Sequence, residues 1–150
     1  MNYFEETYLR LRIEEQNIAV MEWLGLAKTE AYRKGYEKFA ELLKEKKPAF
    51  WLWDCRGGVV IDVKDQKWTM DEWSAMVLNN ATTYGNPTKV ALVTSKDIFN
   101  KMAMRLIVSN IAQKGKVETA YFDTKEAAIE WLKTKTATNP MPPSVANTTS

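Results

Sequence analysis

Hydrophobic and polar positions along this chain switch period several times. From Leu9 to Ile13 they alternate, the pattern of a half-buried strand. Glu14-Glu15-Gln16-Asn17 interrupts as a turn, and Ile18 to Leu24 reads as a second strand, so an antiparallel hairpin ending at Gly25 is expected. Thr29 is placed to cap a helix. In it Tyr32, Gly35, Tyr36, Phe39, Ala40 and Leu43 recur at three and four, with charged residues on the other face. Lys44 to Lys47 suit its carbonyl end, and Pro48 stops it.

Ala49-Phe50-Trp51-Leu52-Trp53 then breaks the pattern, because it is apolar on both faces. A run of this kind between Pro48 and Gly57-Gly58 predicts a strand buried on both sides, at the centre of a helix-covered sheet. Its polar exit, Asp54-Cys55-Arg56, emerges at the carboxyl edge, where α/β folds place their sites. Val59 to Val63 reads either as a short extra strand or as an extended loop.

Thr69 and Glu72 form a capping box opening a helix whose inner stripe is Trp73, Met76, Val77, Ala81 and Tyr84. Gly85-Asn86-Pro87 ends it, and Lys89 to Thr94 is an internal strand. Ser95 with Asp97 starts a further helix carrying Ile98, Phe99, Met102, Leu106 and Ile111, stopped by Lys114-Gly115. Val117 to Phe122 is the last strand. Asp123 with Glu126 starts a final helix docked by Ala127, Ala128, Trp131 and Leu132. The expectation is an α/β domain over 1–135, with a mixed, mostly parallel sheet of about five strands, an N-terminal antiparallel hairpin and about four helices. Residues 136–150, rich in Pro, Ser and Thr, read as a flexible polar tail.

Composition narrows the function. The chain has 150 residues, no histidine and one cysteine, Cys55. Without histidine the commonest general base and metal ligand are absent, and zinc sites of the Cys/His type are excluded. No metal or other cofactor is expected, and no catalytic activity. A net charge of +2 with interleaved signs argues against nucleic acid, which needs clustered basic residues. No apolar run reaches the length of a membrane span. The acidic N-terminus lacks a secretory core, and a lone cysteine suits a reducing interior, so a cytoplasmic location is expected.

The strand ending Trp53-Asp54-Cys55-Arg56-Gly57, the Asp65-Gln66-Lys67-Trp68 approach to a helix, Lys89-Val90-Ala91-Leu92-Val93 and the closing stretch Phe122 to Leu132 resemble the STAS fold of anti-sigma-factor antagonists. More narrowly the chain is similar to the SpoIIAA-like, or STAS-like, proteins over about residues 7 to 135. The resemblance implies a regulatory domain acting through protein recognition. In the antagonists the central strand runs into Asp-Ser-Ser-Gly, whose second serine is phosphorylated. Here Asp54 and Gly57 match, while Cys55 and Arg56 stand in place of the serines, so the resemblance implies a lost phospho-switch.

Asp54, Arg56, Gly57 and Gly58 form either a recognition edge, with Arg56 holding an anion or a partner carboxylate, or a plain turn with an ion pair and glycines at positive φ. Cys55 reads as an inert thiol, since no histidine exists to activate it. Trp68, ahead of its helix, is the best candidate for an exposed aromatic. Asp54, Thr94 and Lys125 fall at strand ends as in receiver domains, but Glu22 stands alone where those domains need an acidic pair. The expected function is non-catalytic binding through Asp54 to Gly58 and Trp68. The occupant would be a protein partner, a second copy in a homodimer, or a small apolar or anionic ligand. A lipid-binding protein and a degenerate receiver-like domain are the alternatives.

Overall fold

The computed structural model of this chain describes residues 2–134, so the expected tail lies outside the described residues. The described strands form one six-stranded sheet in the order β1-β2-β3-β4-β5-β6. They are β1 (Asn2–Glu5), β2 (Leu9–Glu14), β3 (Ile18–Trp23), β4 (Phe50–Asp54), β5 (Lys89–Val93) and β6 (Glu118–Phe122). The pairs β1–β2 and β2–β3 are antiparallel, and β3 through β6 are parallel. The mixed α/β architecture and the N-terminal hairpin are as the sequence implied. β1 is an addition, because four residues with both aromatics adjacent show no period.

Each parallel connection moves to the next position in the same direction. With right-handed crossovers this places every connecting helix on one face. That face holds α1 (Thr29–Lys46), α2 (Val63–Trp68), a π-helical turn (Thr69–Trp73), α3 (Ser74–Leu78), α4 (Ala81–Tyr84) and α5 (Ile98–Gly115). There Trp51 and Trp53 of β4 meet Tyr36, Phe39, Trp73 and Ile107 in the larger core. The smaller core on the other face takes Leu52, Ala91, Val93 and Phe122 beneath Trp131 and Leu132 of α6 (Lys125–Lys133). β4 is therefore covered on both sides, as its unbroken apolar run required. On the same side as α6, β2 and β3 carry an ionic ladder in which Arg10 and Arg12 both reach Glu22, and Arg12 and Lys125 of α6 reach Glu14.

Several local expectations are corrected. Of the two readings open for Val59 to Val63, residues 59–62 take the loop and not the strand. The helix begins at Val63, capped by Asp62, which accepts from the Lys64 amide at 2.8 Å. Thr69 is thus inside a helical run and not at its start. Its buried hydroxyl donates to the Asp65 carbonyl and meets the Tyr32 hydroxyl at 2.7 Å. Ser74 in turn donates to the Thr69 carbonyl, and across this π turn the Trp73 Nε1 donates to the Tyr36 carbonyl. Thr29 does not cap α1; its hydroxyl donates to the buried carboxylate of Asp65, which also receives Arg33. Thr124, not Asp123, caps α6.

The largest correction is the rotation of α5. Of the expected stripe only Ile111 is buried, whereas Ile98, Phe99, Met102 and Leu106 are 54% to 67% exposed. Two apolar stripes overlap on this helix, and the buried one is Ala103, Met104, Ile107, Val108 and Ile111. The rotation is pinned at both ends. Asn100 donates to the Val59 carbonyl at the start, and Gly115 packs against Leu78 and Val117 at the finish.

Candidate functional site

The polar exit of β4 is held between two neighbours. Asp54 lies in register with Glu22 of β3 and Val93 of β5, and the Cys55 amide continues the ladder onto the Val93 carbonyl. Asp54 is 1% exposed, and Arg56 folds back over its carboxylate. It accepts from the Arg56 amide at 3.2 Å, from Nε at 3.0 Å and from Nη2 at 2.7 Å. This two-pronged contact fixes the plane of a guanidinium that stays half exposed. The hydrogen bonds that Arg56 donates to Asp54 raise its pKa against the opposing effect of desolvation, with the charges of Asp54, Glu126 and Glu22 adding to the rise.

The glycines serve close approach and not positive φ, which among the described glycines only Gly85 adopts. A Cβ on Gly57 would lie 2.8 Å from the Trp23 carbonyl, and one on Gly58 would lie 2.7 Å from Asn100 Nδ2. The turn is thereby clamped to neighbouring elements, and the Gly58 carbonyl accepts from Ser95 at 2.8 Å.

Beside Arg56 opens a cleft of about 360 Å³ lined by Thr94, Ser95, Lys96, Ile98, Lys101 and Asp123. Its near walls come from the ends of β5 and β6 and the first turns of α5. Asp97 already caps α5 through the Phe99 and Asn100 amides, leaving the lysines to set the charge. On the other side of the turn, a cavity of about 20 Å³ touches Trp23, Ile61 and Asn100. That is space for about one water. Asn100, with Oδ1 unpartnered, supplies an acceptor there.

Cys55 is wholly buried beneath the edge, where burial first and the Asp54 carboxylate second push its thiol well above the usual range. It supports the edge from below and offers nothing to a ligand. A disulfide reagent such as DTNB is expected to leave Cys55 unmodified in the folded protein and to titrate one thiol on unfolding in denaturant. Rapid labelling of the folded chain would show that the β4 exit opens.

Trp68 is not brought to the cleft. Half buried, it stands edge-on to Tyr36, with Arg33 of α1 over its ring at 5.1 Å. The receiver-like set also diverges. Arg56 occupies the Asp54 carboxylate, Lys125 is 2.8 Å from Glu14 and Glu22 is held by two arginines. Among the described residues no three potential ligands of the His, Cys, Asp or Glu type converge on a metal position. Nor is any described helix long and apolar enough to cross a membrane. Sequence reasoning missed Ser95, Lys96, Ile98 and Lys101 as cleft residues. The available signal was the surplus of apolar residues on α5, more than one buried face can hold.

One family model, described as SpoIIAA-like, matches residues 18–133. No curated protein matches the chain significantly, and no solved structure does.

Proposed function

This chain belongs to the SpoIIAA-like family, and on that premise we propose that it is a non-catalytic recognition domain whose carboxyl sheet edge, residues Asp54 to Gly58 with the adjoining cleft, receives a protein partner. Domains of this family are regulatory protein-interaction domains, generally without enzymatic activity. The single observation that carries the reading is Arg56, oriented by a buried carboxylate yet half exposed at the mouth of the cleft. An arginine whose plane is set in advance loses little freedom on meeting a partner carboxylate. Neither Cys55 nor Arg56 offers a hydroxyl where the antagonists carry serines, so recognition runs without a phospho-switch at those positions. The reading places this work in the cytoplasm, which a single free, buried cysteine suits.

The test is affinity capture from the native cell with the wild-type chain and with Arg56→Ala, quantified by mass spectrometry. Partners specific to the wild type are expected to fall about tenfold or more with the variant, the scale for truncating one member of a desolvated charge pair. Equal recovery of the same partners by both proteins sinks the reading.

A further inference from the structure

We propose that the exposed ridge of α5 docks an acidic amphipathic helix of the partner protein; this rests on the recognition edge proposed above and names what it receives. Ile98, Phe99, Met102 and Leu106 all stand in solvent on one side of α5. Their spacing is i, i+4, i+8 from Ile98, with Phe99 filling the first turn, so they form a continuous ridge roughly 12 Å long. A partner helix reads such a ridge with anchors at i, i+3, i+4 and i+7. Large apolar side chains gathered on one helix face, rimmed by charge, mark interaction surfaces more than chance exposure does.

The charge rim selects the occupant. Ile98 is shared between the ridge and the cleft, where Lys96 and Lys101 stand beside the Asp54-paired Arg56 and Asp123 is the one acidic lining residue among the described residues. Neither the Lys96 nor the Lys101 ammonium has an ion pair or hydrogen bond among the described residues. A helix lying on the ridge with Glu or Asp along one flank places those carboxylates against unpaired cations. A second copy fits poorly. In a two-fold pairing of α5 with itself, Met102 lies near the axis and the neighbouring Lys101 of each copy comes close to its mate. An anionic bilayer also fits poorly, because the cations sit in a concave cleft and not on a protruding face, and are fewer than a polybasic lipid-binding cluster carries.

The experiment is a selection from displayed single helices with a fixed leucine stripe and randomised flanks, panned on the full chain. The expected result is enrichment of Glu and Asp in the flanks. Binding of the selected helices is expected to fall at least about tenfold with Met102→Glu and with Lys101→Glu, both surface changes that circular dichroism should show as folded. Neutral or basic flanks, or binding indifferent to both variants, overturn the proposal. So does an α5-dependent dimer in sedimentation equilibrium, or α5-dependent binding to phosphatidylserine vesicles. The native-cell capture separates the two levels. If Arg56→Ala loses the natural partners while both α5 variants keep them, the recognition edge stands and the helix proposal falls. If none of the three variants loses them, the edge itself falls.

Discussion

Trp53→Ala is expected to destabilise the folded chain by about 3–5 kcal/mol, the range for removing a large aromatic from a tight core. Trp53 is fully buried and lies within aromatic contact of Trp51, Trp73, Phe39 and Tyr36. These rings come from β4, α1 and the π turn, so no single element can close over the hole. Against a typical total of about 5–15 kcal/mol this is a large share, and the thermal midpoint should fall by about 6–20 °C. Urea titration checks it, with the midpoint shifting and the slope unchanged. Trp53→Phe should be much milder, because the Trp53 Nε1 has no acceptor and its loss orphans nothing. If Trp53→Ala and Trp53→Phe cost the same, the ring cluster is not the centre of the core.

Lys89→Ala is expected to cost about 2–4 kcal/mol, through loss of both packing and charge-assisted hydrogen bonds. Lys89 opens β5 and is 1% exposed. Its ammonium donates to the Trp131 carbonyl at 3.0 Å, to the Thr134 carbonyl at 2.7 Å and to the Thr134 hydroxyl at 2.8 Å. It also lies 4.9 Å from the Trp131 ring centre. The cation therefore closes the carbonyl end of α6 and fastens that helix to the sheet. Lys89→Met keeps the stem and should recover the packing part.

The same pair of proteins gives a pH test. Burial lowers the Lys89 pKa below its ordinary 10.5, with Glu118 opposing. The unfolded chain then binds more protons than the folded one over the interval between the lowered value and 10.5. Stability of the wild type relative to Lys89→Met should rise as pH climbs through that interval, and be flat below it. Tyrosine ionisation is common to both proteins and cancels in the difference. A relative stability that falls with pH there would contradict the burial of this ammonium.

Much of the architecture was legible because period and punctuation agreed. The alternation from Leu9 to Ile13, the stripe of α1 and the unbroken run ending at Trp53 each point to one environment. The polar exit was legible for the same reason, since a doubly covered strand must release its first charged residues at the sheet edge. The helix over residues 63–78 begins earlier than the pattern predicts, because Thr69 and Glu72 carry a capping signal that Asp62 supersedes. Thr69 is a buried link to Tyr32 instead.

By itself the sequence determined the α/β class, the family, the buried identity of β4 and the segment that leaves it, because hydrophobic period and turn chemistry are local properties of the chain. Only the tertiary structure decided which of two apolar stripes on α5 faces the core, that Trp68 rests on α1 and not at the edge, and that Lys96 and Lys101 share a cleft with Arg56. Those outcomes depend on how a helix is rotated by contacts far away in sequence, such as Asn100 on Val59 and Gly115 on Leu78, and no periodicity encodes a rotation.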